Sequence, residues 1–221
     1  MIMFEIYKLN QKLYRLYYSR EQKEFLENIP DLEGHEWDGQ LDYSIWSRGS
    51  RTMINQIREF IKEALIESQG KVCAYCGGRL DVTSGIQIEH IAPKGNGRYP
   101  QFMFHPTNLT LACSLCNGFE KKEKKEHFKT IGKLEENYED CYFNIVHPYL
   151  DNPEDHYELG INHLGITIKS KTLKGQKSIA VFKLDEEPQT NARWKCFLEH
   201  RYNIDPRFKT LFDEVCSPLG T

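Results

Sequence analysis

The stretch that decides the fold is residues 71–117, KVCAYCGGRLDVTSGIQIEHIAPKGNGRYPQFMFHPTNLTLACSLCN. It carries two Cys-x-x-Cys pairs, Cys73/Cys76 and Cys113/Cys116. A gap of two residues lets both sulfurs of a pair face the same ion, and four thiolates complete the tetrahedron of a structural Zn²⁺ site. Thiolate ligands favour zinc, and closed four-thiolate coordination leaves no position for water. We therefore predict a structural zinc ion rather than a catalytic one.

Two other interpretations of the cysteine pairs stay open at this point. A redox-active dithiol would need only one pair, and a zinc ribbon could bind nucleic acid without cutting it. Three of the seven cysteines stand alone, and we predict that they are packing residues: Cys141, Cys196 and Cys216.

The residues between and after the cysteine pairs predict a strand, a loop and a helix. Residues 86–91 alternate apolar and polar side chains, as in a strand. Residues 93–100 are rich in Pro and Gly and predict a loop. Residues 120–129 are polar and strongly helix-forming. A unit of about 50 residues has a small hydrophobic core, so we expect it to need a bound metal ion for stability.

The flanking sequence predicts an α+β protein in three parts. Residues 51–69 place apolar side chains at three- and four-residue steps, which predicts a helix that ends at Gly70. Residues 9–29 also look helical, and residues 30–50 read as a loop with aromatic anchors. The predicted parts are an N-terminal helical region 1–70, a core 71–133 and a mixed α/β C-terminal extension 134–221.

The C-terminal extension predicts two strands and a helix. Residues 166–170 and 178–184 look like strands joined by a loop that contains Gly175. Residues 192–202 predict a final helix.

The charge of the chain is unevenly distributed. The net charge is -3, but residues 71–133 hold ten Lys/Arg and five Asp/Glu. Residues 1–70 hold nine basic and twelve acidic side chains, and residues 134–221 hold ten and fifteen. A basic patch confined to the cysteine-bearing segment favours phosphate contact. The acidic flanks favour docking on another protein.

Composition narrows the class of protein. With 39% hydrophobic and 28% charged residues, the chain is typical of a globular protein rather than a disordered one. We find no apolar run near the roughly 18 residues that span a bilayer, and residues 1–4 lack the layout of a secretory signal. We therefore expect a cytoplasmic protein.

Four further residues extend the cysteine pattern into a family motif. Glu89-His90 and Asn108 lie between the pairs, and Asn117 follows the second pair. This order resembles an HNH endonuclease of the zinc-stapled type, over residues 71 to about 125. The resemblance implies a ββα-metal core that hydrolyses phosphodiester bonds.

The resemblance also implies a role for each residue. His90 matches the general base that draws a proton from water, and a neutral imidazole with a pKa near 6.5 suits that task. Glu89 matches the position that ligates the catalytic metal. Asn108 matches the middle asparagine, which holds the loop and orients the base. Asn117 stands where the family usually has histidine; with Glu89 it favours Mg²⁺ or Mn²⁺ over a second Zn²⁺.

Some neighbouring residues carry two interpretations each. Lys121 lies one helical turn after Asn117 and is predicted to contact phosphate, although the lysine-rich run could equally be a solvated helix face. His90 could be a structural histidine, and Asn108 could simply close a turn. His105 lies three residues before Asn108 and could contact metal or substrate, but it precedes a proline in a loop and is predicted to be structural.

A second, weaker resemblance covers about residues 50–200. The segment 147–156, HPYLDNPEDH, followed by Lys174-Gly175 and Arg193, is similar to the PtuB-type HNH subunit of Septu anti-phage systems, which also occurs in some retrons. This resemblance implies an ABC-type ATPase partner of the PtuA type. His147, Asp151 and His156 could form a second metal site, but bracing of a turn is the preferred interpretation.

Two functions from different classes remain possible on the sequence alone. The first is an active nuclease, with DNA favoured and tRNA as a further substrate class. The second is a zinc-stapled binding or adaptor module without cleavage activity, which the Asn117 variant and the acidic overall charge keep open. A sequence-specific restriction or homing enzyme is disfavoured, because we recognise no DNA-reading module in the flanks.

Overall fold

The computed structural model of the chain describes residues 18–80, 85–95, 98–117 and 130–216, except the side chains of residues 212 and 214–216. Its elements alternate between helices and short antiparallel strands, which confirms the predicted α+β class. The helices are α1 Arg20–Glu27, α2 Ser50–Gln69, α3 Ser114–Asn117, α4 Pro153–His156, α5 Leu173–Phe182, α6 Glu187–Ile204 and α7 Pro206–Cys216. The strands are β1 Gln87–His90, β2 Leu109–Ala112, β3 Ile131–Lys133, β4 Tyr142–Phe143, β5 Tyr157–Asn162 and β6 Gly165–Ser170.

Helix α2 confirms the apolar stripe predicted for residues 51–69. Its buried residues include Ile54, Ile57 and Ile61, which recur at the steps of one helix face. The helix ends at Gly70, whose φ of 66° is the left-handed conformation that glycine adopts without strain.

The last residue of α2 ties this helix to strand β2. The buried Gln69 side chain donates from Nε2 to the Leu111 carbonyl at 2.8 Å, and its Oε1 accepts from the Thr110 hydroxyl and the Leu111 amide, both at 2.9 Å. Because an unsatisfied buried amide would be costly, these bonds fix the position of β2 relative to the helix.

Strands β1 and β2 form an antiparallel pair that leads directly into α3. Glu89 lies opposite Thr110, and His90 lies opposite Leu109. Strand β2 is buried along its whole length. The amide of Ala74 donates to the carbonyl of Leu111 at 3.0 Å, which brings the first cysteine pair beside the second.

The C-terminal segment packs a hairpin against helices. Strands β5 and β6 pair along six positions, and the predicted strand at residues 166–170 is confirmed as part of β6. The fully buried Arg193 of α6 donates from Nε to the Ile166 carbonyl at 2.9 Å and from Nη2 to the Leu184 carbonyl at 2.7 Å. The predicted helix at residues 192–202 lies inside the longer α6.

The prediction of a strand at residues 178–184 is wrong. Most of that run belongs to helix α5, which begins where the Thr172 hydroxyl accepts from the Gly175 amide. The buried residues Gly175, Ser178, Val181 and Phe182 recur at three- and four-residue steps. A short apolar run does not distinguish a buried strand from a buried helix, and helix α5 begins at Leu173, five residues before this run.

Other predicted elements fall partly or wholly outside the described residues. Helix α1 is the described part of the helix predicted at residues 9–29, and the helix predicted at residues 120–129 lies outside. Helix α7 was not predicted. Among the helices that the structure describes, none combines the length and apolar character that crossing a membrane requires. One large core joins residues from the N-terminal region, the cysteine-bearing segment and the C-terminal extension.

Candidate active site

The four paired cysteines converge as predicted. Their sulfur atoms all lie within 4.8 Å of one another, and all four residues are buried. In the described parts of the chain this is the sole cluster of three or more Cys, His, Asp or Glu side chains placed to share an ion. The cluster could hold a metal such as zinc.

Local turns aim each cysteine pair inward. In the first pair, the Cys73 amide donates to the Gly78 carbonyl at 2.8 Å, and the Gly77 amide donates to the Cys73 carbonyl at 3.0 Å. In the second pair, the Cys113 carbonyl accepts from the first turn of α3, including the Cys116 amide at 2.9 Å. Burial raises the pKa of the Cys73 thiol well above its usual value, so thiolates require a cation to replace their protons.

A cleft of about 590 Å³ contains three of the predicted site residues. Glu89, His90 and Asn117 all line it. Two basic residues, Lys94 and Arg98, line it as well. Glu33, His35 and Asp38 also line it, so the structure gathers three carboxylates, two imidazoles, one amide and two cations around one opening.

Glu89 and His90 share the cleft although they are neighbours on a strand. Successive side chains of a regular strand point to opposite faces, so the sequence alone did not place both at one site. His90 is the last residue of β1, where the regular pleat ends. The Glu89 residue is 2% exposed, so its carboxylate lies in a largely dehydrated position.

The contacts of the His90 ring include a hydrogen bond and an aromatic contact. Its Nε2 lies 3.1 Å from the Met103 carbonyl oxygen, and the Trp37 ring packs edge-on with centroids 4.5 Å apart. Since a carbonyl only accepts, the proton of the neutral ring resides on Nε2 and the lone pair on Nδ1. Burial, aided by the Lys94 ammonium, lowers the pKa of His90 to about 3. This is below the value near 6.5 expected from the sequence, so the ring is neutral at pH 7 but is a weaker base.

Asn108 is fully buried and closes the loop that follows His90. Its Oδ1 accepts from the Ala92 amide at 2.6 Å and from the Tyr138 hydroxyl at 2.9 Å. Its Nδ2 donates to the Phe102 carbonyl at 2.8 Å and to the Ala92 carbonyl at 3.2 Å. Three of these four hydrogen bonds connect the Asn108 amide to Ala92 at the start of the loop and to Phe102 near its end. Asn108 therefore holds the whole loop and does not only close a local turn.

The amide orientation of Asn117 suits a hard metal ion. Its Nδ2 donates to Oε1 of Gln87 at 3.0 Å. That bond leaves the amide oxygen as the atom that could bind a cation. Lys121, the predicted phosphate contact, lies outside the described residues.

The sequence did not reveal that residues 33–38 form one wall of the cleft. The buried Glu36 carboxylate accepts from the Glu33 and Gly34 amides at 3.0 and 2.8 Å. Lys94 bridges to this wall, donating to the Gly34 carbonyl at 2.9 Å and to Asp38 at 2.8 Å. A Cβ on Gly34 would collide with the Lys94 carbonyl oxygen, and its φ of +106° also requires glycine. In the sequence, only Gly34 and the aromatic Trp37 hinted that this segment has a special role.

The other histidines singled out in the sequence contact neighbouring side chains and do not line the cleft. His105 stacks on Tyr138 with ring centroids 4.7 Å apart and is not among the residues that line the cleft. The His147 amide donates to the Asp151 carboxylate at 2.6 Å, and Nδ1 of His156 lies 2.7 Å from the Thr172 hydroxyl. These contacts favour bracing over a second metal site.

The buried His147 leads to a prediction about acid stability. Burial, together with the nearby Lys174 and His105, holds the pKa of His147 well below its usual value. The Asp151 carboxylate accepts from the backbone amide of His147, and the Tyr138 hydroxyl lies beside the His147 ring. The unfolded chain takes up a proton near pH 6.5, whereas the folded chain does not. We therefore expect the free energy of unfolding to fall below pH 6.5, by up to about 1.4 kcal/mol per pH unit for this group.

Urea denaturation at pH 7.5, 6.5 and 5.5 measures this effect. Zinc content at each pH is the control, because protons also compete for thiolates. A stability that stays constant or rises towards pH 5.5 with zinc retained would show that His147 is protonated in the fold.

The chain is similar to two curated proteins, both named Septu protein PtuB. It is 30% identical to the one from Bacillus thuringiensis over 130 residues, which cover 58% of this chain and 42% of that protein. It is 30% identical to the one from Bacillus mycoides strain KBAB4 over 152 residues, which cover 62% of this chain and 50% of that protein. The chain thus spans about half the length of these relatives. No family model and no solved structure matches it.

Proposed function

We propose that the chain is a metal-dependent endonuclease of the HNH class and the nuclease effector of a Septu-type anti-phage defence system. The observation that carries the proposal is the cleft in which Glu89, His90 and Asn117 meet. Glu89 and His90 lie on β1 and Asn117 ends the short helix α3, and with the cysteine pairs they stand in the order of the HNH resemblance. The similarity to two Septu PtuB proteins supports the defence role.

In this proposal His90 is the general base. The Met103 carbonyl fixes the ring and keeps the proton on Nε2, so Nδ1 takes the proton of the attacking water. Positioned proton transfer of this kind contributes about 10²- to 10⁴-fold to a rate. Asn108 holds the loop that carries the Met103 carbonyl, which makes it a positioning residue.

Glu89 and Asn117 would hold the catalytic metal. Their carboxylate and amide oxygens are hard donors, which suit Mg²⁺ or Mn²⁺ better than zinc. Bound there, the ion would polarise the scissile phosphate and stabilise the leaving oxygen. The buried position of Glu89 fits this role, because a carboxylate withdrawn from water gains from a cation.

The cations of the cleft are proposed to bind the phosphate backbone. Lys94 is engaged with Gly34 and Asp38, so it organises the cleft wall. We assign the main phosphate contact to Arg98, with Lys121 as a further proposed contact. The substrate class proposed first is DNA, with tRNA as the alternative.

Replacing Arg98 by alanine is expected to raise the KM for nucleic acid about tenfold and to leave kcat nearly unchanged. The reason is that a backbone contact contributes to substrate binding before and during the reaction alike. The slope of log affinity against log salt should fall by about one. Arg207→Ala, an exposed arginine outside the cleft, is the matched control. A lowered kcat at unchanged KM would place Arg98 in the chemistry instead.

The partner proposed is an ABC-type ATPase of the PtuA type. The acidic C-terminal extension 134–221, with ten basic and fifteen acidic residues, is proposed to dock on it, while residues 71–133 form the nuclease core. Acidic flanks repel nucleic acid, so the partner would assist substrate binding.

The test of the function is cleavage of plasmid DNA and of total tRNA by the zinc-loaded chain. Reactions contain Mg²⁺, Mn²⁺ or no added divalent ion, each with and without the ATPase. Cutting that depends on the divalent ion supports the nuclease. Binding of nucleic acid without cutting, under every condition, would establish the zinc-stapled binding module instead.

A further inference from the structure

A chain of buried hydrogen bonds runs from the C-terminal extension to Asn108. The Nδ1 atom of His147 accepts from the amides of Tyr149 and Leu150 at 3.1 and 3.2 Å. Its Nε2 lies 2.9 Å from the Tyr138 hydroxyl, which in turn lies 2.9 Å from Oδ1 of Asn108. Asn108 and His147 have no exposed surface, and Tyr138 is 1% exposed.

The donors and acceptors at the two ends of this series of hydrogen bonds determine where each of its protons lies. Because two amides donate to Nδ1 of His147, the ring proton must lie on Nε2, and it is donated to Tyr138. The Tyr138 hydroxyl then has one proton to give, and it goes to Oδ1 of Asn108. This fixes which way the Asn108 amide faces, with Nδ2 directed to the carbonyls of Phe102 and Ala92.

The Asn108 amide in turn determines where the His90 ring is held. Ala92 lies two residues after His90, so its bonds to Asn108 fix the exit of strand β1. Phe102 lies one residue before Met103, whose carbonyl accepts from His90. The same amide therefore anchors both the backbone that carries the imidazole and the backbone that orients it.

We propose that Tyr138 and His147 are positioning residues that fix the Asn108 amide and, through it, the His90 imidazole. The inference rests on the proposed function for its effect on catalysis, but its effect on His90 is independent of activity. It assigns the residues that follow the core a part in the nuclease site. The only sequence signal for it was the motif that contains His147.

The ring of Tyr138 is packed independently of its hydroxyl. It stacks on His105 and meets Phe102 edge-on, with centroids 5.0 Å apart in the second contact. His147 similarly packs against Phe143 at 4.5 Å. A Tyr138→Phe change therefore keeps the packing and removes one hydroxyl, which isolates the hydrogen bond from the core.

The test compares Tyr138→Phe with the control Tyr202→Phe. The Tyr202 hydroxyl also donates a hydrogen bond, to the Asp213 carboxylate at 3.0 Å, outside the hydrogen bonds that lead to Asn108. We expect Tyr138→Phe to lower kcat about 10- to 100-fold at an unchanged KM and unchanged zinc content, because small displacements of a reacting group cost this much. Tyr202→Phe should keep the kcat of the wild type.

A second measurement keeps the inference testable even if no nuclease activity exists. The ¹⁵N signals of the His90 ring, recorded on histidine-labelled protein, should move in Tyr138→Phe and stay in place in Tyr202→Phe. Unmoved signals, or equal kcat values for the two variants of an active nuclease, would overturn the positioning role. An inactive wild type whose His90 signals move as expected would refute the proposed function and leave the positioning of His90 standing.

Discussion

Cys73→Ser is expected to lose stoichiometric zinc and to lower the melting temperature by roughly 10 °C or more, if the chain folds at all. Loss of a structural metal is one of the few single changes that cost more than about 4 kcal/mol. In a domain of this size each kcal/mol corresponds to about 2–4 °C. The four buried sulfurs lie within 4.8 Å of one another, so loss of one ligand would break the proposed metal link between the two cysteine pairs.

Cys141→Ser is the matched control for this change. Cys141 is also buried, but its sulfur accepts from the Glu135 amide at 3.3 Å, a role that a hydroxyl can fill. The two variants are compared by elemental analysis for zinc and by thermal circular dichroism. A wild-type protein that holds no metal, or two variants that melt together, would show that the cysteines merely pack.

The parts of the site that lie close in sequence were predictable. Two-residue spacings fixed the cysteine pairs, and their convergence follows from four thiolates sharing one ion. The apolar stripe of α2 and the alternation of β1 were likewise local patterns. The placement of Glu89, His90 and Asn117 at one cleft depended on the family resemblance, because regular strand geometry points Glu89 and His90 apart.

The parts that depend on distant contacts were not predictable. The cleft wall at residues 33–38 is placed by Lys94, some sixty positions along the chain, and its sequence gives only a glycine and an aromatic residue as signals. Residues 178–184 were misassigned because their apolar run is compatible with a buried strand or a buried helix. Packing of the segment against the β5–β6 hairpin favours the helix. The hydrogen bonds between His147, Tyr138 and Asn108 join three segments that are separate in sequence. No hydrophobic periodicity in the sequence predicts such contacts.

His90→Ala is the second change with a large expected effect. We expect the rate of cleavage to fall about 10²- to 10⁴-fold, because the attacking water loses its base. The KM for nucleic acid should stay within a few-fold of wild type, since the cations of the cleft remain. Zinc content should also be unchanged, because the imidazole is not part of the cysteine cluster.

Two further variants separate catalysis from folding. His90→Gln retains an amide that can donate to the Met103 carbonyl, so it should fold like the wild type and still lack the base. His163→Ala changes an exposed histidine that does not line the cleft, and it should cut like the wild type.

The most direct measurement is the single-turnover rate of plasmid cleavage in Mn²⁺, with the ATPase present, for wild type beside His90→Gln. Both proteins must carry zinc and show the same melting curve. We predict a wild-type rate that requires Mn²⁺ and exceeds that of the variant at least a hundredfold. Equal rates in the two folded proteins, or no cleavage by the wild type, would contradict a nuclease centred on His90.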